Sequence, residues 1–72
     1  MEHYFFDLVG EDTQYDHRGQ RFADPEKARS VAELMALDLA TEADSSWIGW
    51  SIKVSNATGS HLFSVPVVAS LG

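Results

Sequence analysis

Apolar and polar residues alternate across Glu2–Val9. Tyr4, Phe6 and Leu8 share one face of an extended segment, and His3, Phe5, Asp7 and Val9 share the other. Aromatic side chains suit a pleated surface, so the segment reads as the first strand. Phe5 on the second face predicts that this face is not fully solvated. Residues 10–19 are polar and acidic. Within them Asp16-His17-Arg18-Gly19 has the chemistry of a tight turn, because Asp can bond nearby backbone and Gly can take positive φ. Gln20–Phe22 follows as a short second strand, paired with the first as a hairpin.

After Asp24 the period becomes helical. Asp24 is a good N-cap, Pro25 fits the first helical position, and Glu26 complements the helix dipole. Ala28, Val31, Ala32, Met35, Leu39 and Ala43 form one apolar stripe at helical spacing. Its alanines let the helix sit close to a sheet. The stripe predicts a stop between residues 43 and 45, where Asp44-Ser45-Ser46 breaks the pattern. Trp50, Ile52 and Val54 then alternate with Ser51, Lys53 and Ser55 as a half-buried third strand. Asn56-Ala57-Thr58-Gly59 reads as a hairpin loop, and residues 61–67 as a fourth strand with Phe63, Val65 and Val67 facing inward. Pro66 lacks an N–H and points to an edge or a strand end. Residues 69–72 are expected to fray. The order strand, strand, helix, strand, strand predicts one α+β domain over residues 1–72. Its simplest form is a four-stranded antiparallel sheet with the helix on one face.

Two leucines fall off the stripe. At ~100° per residue, Leu34 and Leu37 lie well away from it, beside Ser30, Glu33 and Thr41. A pair of wet leucines on one face suggests a contact surface, for a homodimer or for a protein partner. The bland alternative is a wider stripe that absorbs Leu34. A second candidate contact is Phe5, on the sheet face that the helix leaves open, beside Ser51, Lys53 and Ser55 if those strands align. Trp50 is in phase with the core of its strand. Trp47 precedes the strand, and either covers the helix end or serves as an exposed anchor, since Trp is enriched at binding hot spots. The candidate interface is therefore Phe5, Leu34, Leu37 and Trp47.

Composition narrows the function classes. The chain has 72 residues and a formal net charge of −6. Residues 1–29 hold seven acids and four bases, and residues 30–72 hold four acids and only Lys53. Nucleic-acid binding is disfavoured, because it needs clustered Lys and Arg. An acidic surface suits either plain solubility or a basic protein partner. There is no cysteine, so a disulfide framework and a zinc–thiolate site are excluded. A small domain without such staples relies on packing or self-association. No basic-then-apolar leader and no membrane-length apolar run occurs, so the expected location is the cytoplasm, with no membrane partner.

The candidate chemistry is thin. No Ser sits in a Gly-flanked elbow, and His3, His17 and His61 are scattered. Glu11, Asp12, Asp16 and His17 share a loop that could hold a divalent ion, but the spacing lacks the alternating oxygen ligands of a calcium loop. A solvated turn is the simpler reading. Glu11 and Asp12 have no apolar neighbourhood to raise a carboxyl for acid–base work. His3 and His61 could meet at a metal only if their strands paired in the right register. Asn56-Ala57-Thr58 matches a glycosylation sequon but reads more simply as a hairpin loop. No cofactor is implied and no enzyme is expected.

Tyr4-Phe5-Phe6-Asp7-Leu8, then Asp16 and Gly19, then Asp24 and Ala28, then a C-terminal hairpin, resemble a family of short bacterial proteins classed as a domain of unknown function. Its members typically open with a basic residue followed by Tyr-Phe-Phe-Asp, and His3 at that first position is a departure from the pattern. The resemblance covers nearly the whole chain. It implies the fold and no activity. A weaker likeness is to small acidic antitoxins that place a helix after an N-terminal sheet. The reading is a non-catalytic protein-interaction module that self-associates, with an antitoxin-like or regulatory domain binding a basic protein partner as the alternative.

Overall fold

The computed structural model describes residues 1–41 and 46–68. The predicted strand–strand–helix–strand–strand order is present, with one short strand added. Strand β1 (Glu2–Val9) is followed by β2 (Thr13–Gln14), β3 (Gln20–Phe22), helix α1 (Pro25–Ala40), β4 (Ser51–Asn56) and β5 (His61–Pro66). All pairings are antiparallel, and the sheet runs β2-β1-β4-β5 with β3 also paired to β1. Strand β2 is a departure from the sequence expectation, which places no strand within the polar residues 10–19. Two residues are too few to show a period. Their pairing, Leu8 with Gln14 and Val9 with Thr13, is supplied by the end of β1.

The alternation in β1 sorts its side chains as expected. Tyr4 and Phe6 are buried beside Ile52 and Val54 of β4, and α1 covers them with Ala28, Ala32 and Ala36. Phe22 meets Tyr4 at a tilt and Phe6 edge-on, closing the β3 side of this core. Three buried alanines on successive turns bring the helix backbone close to the strands. Val67 lies just past β5 yet is buried, because its N–H donates to the Trp50 carbonyl at 2.8 Å and its carbonyl accepts from Gly49.

Helix α1 begins as its sequence requires. Asp24 is extended (φ −153°, ψ 165°), and its Oδ1 accepts from the Lys27 N–H at 3.0 Å. Thr41 caps the other end, with its N–H and its Oγ1 both donating to the Asp38 carbonyl. The helix therefore ends at Ala40, short of the stop predicted between residues 43 and 45, because the Thr41 cap closes it first; Ala43 of the stripe lies outside the described residues.

Strand β5 forms one edge of the sheet, as Pro66 suggested. Val54 pairs with Phe63 but Ser55 pairs with His61, so Leu62 is an extra residue with nothing opposite it.

Candidate functional site

Helix α1 places its two stray leucines where the spacing put them. The buried Ala28, Ala32 and Ala36 define the side that faces the sheet. At ~100° per residue, Leu34 and Leu37 fall on the opposite half. They are 63% and 54% exposed, so a wider core stripe does not absorb Leu34. Leu37 also reaches the flank of α1 that overhangs β5. With Glu33, Ala36, Val65, Pro66 and Val68 it lines a groove of about 150 Å3. Glu33 borders the ridge on the β5 side, and Asp38 borders it on the other. Arg29, one turn before Glu33, lies 5.8 Å from the centre of the Phe63 ring. Residues 54–68 contribute no Asp, Glu, Lys or Arg to the far wall.

The opposite face of the sheet is polar with one ring in it. Register sets Phe5 beside Ser55, Asp7 beside Lys53 and Val9 beside Ser51, the alignment anticipated from the sequence. Phe5 is half-buried, and His3 stacks on it with ring centres 4.8 Å apart and planes 5° from parallel. The stacked ring is held in turn. His3 Nε2 is 2.6 Å from the Arg18 carbonyl, which can only accept, so Nε2 carries the proton. Beyond Phe5 lies a shallow depression of about 370 Å3 bordered by Tyr15, Lys53 and Asn56. Phe5 and the leucine ridge are thus on opposite sides of the sheet and form no common surface.

A carboxylate seam closes the other edge of β1. Strand β2 pairs at Leu8 and Val9, and β3 pairs from Glu2 to Tyr4, which leaves a gap at Phe6. A backbone donor in such a gap needs a partner. Asp16 Oδ2 accepts the Phe6 N–H at 3.1 Å, and Asp7 Oδ1 accepts the Asp16 N–H at 2.8 Å. Asp16 Oδ1 also accepts from Arg18 and Gly19, each at 3.0 Å, which is the turn the sequence predicted. Burial pushes the Asp16 carboxyl up. The N–H groups of Gly19, Phe6 and Arg18, with His17 nearby, outweigh that and hold it below its ordinary value. Gly19 has φ +68°, and a Cβ there would lie 2.5 Å from the Tyr4 carbonyl oxygen.

The model of one family, a domain of unknown function (DUF6894), matches residues 3–69. The chain belongs to this family. No curated protein and no solved structure matches it. The residues that carried the resemblance have structural roles in this DUF6894 chain. Tyr4 and Phe6 are core, Asp7 and Asp16 close the seam, Gly19 makes the turn, Asp24 caps the helix, and Ala28 packs on the sheet. Family membership by itself assigns no activity to the chain.

The remaining candidates separate. Trp47 is half-buried, packs against the core, and meets Trp50 edge-on with ring centres 5.0 Å apart. Part of its ring packs on the core and part remains accessible. His3 and His61 are on β1 and β5, with β4 between them, so their strands do not pair. His61 Nε2 instead lies 2.9 Å from Ser64 Oγ. In the acidic loop, Asp16 is filled by backbone donors and Asp12 Oδ1 accepts from Thr13 N–H. The sequence missed the groove beside Leu37, because its far wall comes from β5, about thirty positions away. It also missed that Asp7 and Asp16 act together, for the same reason of separation.

Proposed function

We propose that this DUF6894 chain is a non-catalytic protein-interaction module whose docking surface is the Leu34–Leu37 ridge and the groove beside it. The observation that carries this reading is the exposure of two leucines on one helix face that also borders an apolar groove. Single exposed apolar residues are ordinary, but a contiguous pair with a groove is a common mark of a contact site. Self-association is the first form of this reading. It is favoured by the uncharged run through β5, which brings no like charge against a second copy on that side of the ridge. Binding of a basic protein is the second form, and Glu33 and Asp38 at the ridge margins favour it.

Sedimentation of the wild type and of the Leu34→Glu, Leu37→Glu variant tests the first form. On that form the wild type associates in the micromolar range and the variant does not. A wild type that stays monomeric at high micromolar concentration sinks self-association through these residues. For the module as a whole, the wild type should retain host proteins that the variant does not. Equal behaviour of both chains in both assays would remove the ridge as a docking surface.

A further inference from the structure

Charge around the ridge separates its two possible occupants. Leu34 and Leu37 are bracketed by Glu33 on one side and Asp38 on the other. Each flank also carries a base nearer the N-terminus, Arg29 on the Glu33 side over Phe63 and Lys27 on the Asp38 side, so the acids are the charges beside the leucines themselves. A second copy docked ridge to ridge sets acid beside acid. In an antiparallel twofold pair Glu33 approaches its own counterpart, and so does Asp38. In a parallel pair Glu33 approaches the side that carries the mate's Asp38. Edge pairing offers a second copy no better route. Strand β5 has Pro66 at one end and the unpaired Leu62 at the other, and both features blunt an edge against strand addition.

A helix whose apolar row is flanked by Lys or Arg meets none of these objections. Its row lies on Leu34 and Leu37 and drops one side chain into the groove. Its bases sit beside Glu33 and Asp38, and the uncharged wall of residues 61–68 opposes neither. We infer that the occupant of the ridge is a basic amphipathic helix of a second protein, an inference that rests on the docking role proposed above.

Two labelled helical peptides with identical apolar positions provide the test, one flanked by lysine and the other by glutamate. Fluorescence anisotropy against the full chain at near-physiological salt should show the lysine peptide binding about tenfold tighter or more. Glu33→Lys combined with Asp38→Lys should reverse that preference. Leu34→Ser combined with Leu37→Ser should abolish binding of both peptides, with far-UV circular dichroism confirming that each variant keeps its helix. A lysine preference that survives the charge reversal means diffuse attraction to an acidic chain, and overturns the inference. A wild type that dimerises through the leucines and ignores both peptides keeps the docking surface but replaces the basic partner with a second copy. A monomer that binds neither peptide removes the docking role and the partner together.

Discussion

Asp16 does the work of a missing strand. Between β2 and β3 its carboxylate takes up the Phe6 N–H, and the same group organises the turn that Gly19 completes. Removing it in Asp16→Ala orphans a part-buried N–H and should cost about 2 kcal/mol in denaturant unfolding. The pH dependence has a definite sign. The Asp16 carboxyl titrates lower in the folded chain than its ordinary 3.8, so its contribution is present above that value and is lost as pH falls through the folded value. The stability gap between wild type and Asp16→Ala should therefore be steady near neutrality and should narrow below about pH 4. A gap that stays constant into acid would mean that the carboxylate is not the stabilising species. Gly19 is the other constrained position. In Gly19→Ala the left-handed backbone is strained, and the new Cβ crowds the Tyr4 carbonyl and the His3 ring. A loss of at least about 2 kcal/mol is expected, with His3 displaced from Phe5. The turn was legible in Asp16-His17-Arg18-Gly19 because Asx and Gly chemistry is local. The bond to Phe6 was not, because it spans ten residues.

At the scale of elements, α1 has two faces with opposite tolerance. Ala28, Ala32 and Ala36 are buried against the sheet. Ala32→Leu should therefore overpack and cost about 1–3 kcal/mol in thermal or denaturant unfolding. Leu34→Ser and Leu37→Ser on the outer face should each shift stability by no more than about 0.5–1 kcal/mol, since little apolar area is lost from the core. Loss of fold in the outer-face variants would show that the leucines serve the core and not a partner. The start of this helix was readable from Asp24-Pro25-Glu26, because capping depends on adjacent residues. The predicted strands were readable for a similar reason, since period two survives in six to eight residues. Strand β2 was not, since two residues have no period.

At the scale of the whole molecule, the sheet is asymmetric. Strands β1 and β4 are central and buried by α1, while β2 is two residues long at the margin. Hydrogen exchange should be slowest in β1 and β4 and fastest in β2, whose opening exposes little apolar surface. Protection of β2 equal to that of β4 would contradict this gradient. The two sheet faces differ as well. One is filled by the helix, and the other keeps Phe5 under the His3 ring among Asp7, Lys53 and Ser55. Among the described residues no helix is long and apolar enough to cross a membrane. The charged residues all lie in residues 1–53, so the wall of β5 is neutral while the helix margins carry Glu33 and Asp38 with Lys27 and Arg29 toward the N-terminus.

The sequence alone determined the element order, the helix start, the alternation that sends Tyr4 and Phe6 inward, and the exposure of Leu34 and Leu37. Each of these follows from neighbours a few residues apart, through capping, turn chemistry or a period of two or 3.6. Tertiary structure decided what those residues meet. It set His3 over Phe5, joined Asp7 to Asp16 across the gap in the sheet, turned Trp47 toward the core, and brought Val65 and Val68 beside Leu37. These contacts link segments whose spacing carries no period. They exist only once strand register and helix position are set together.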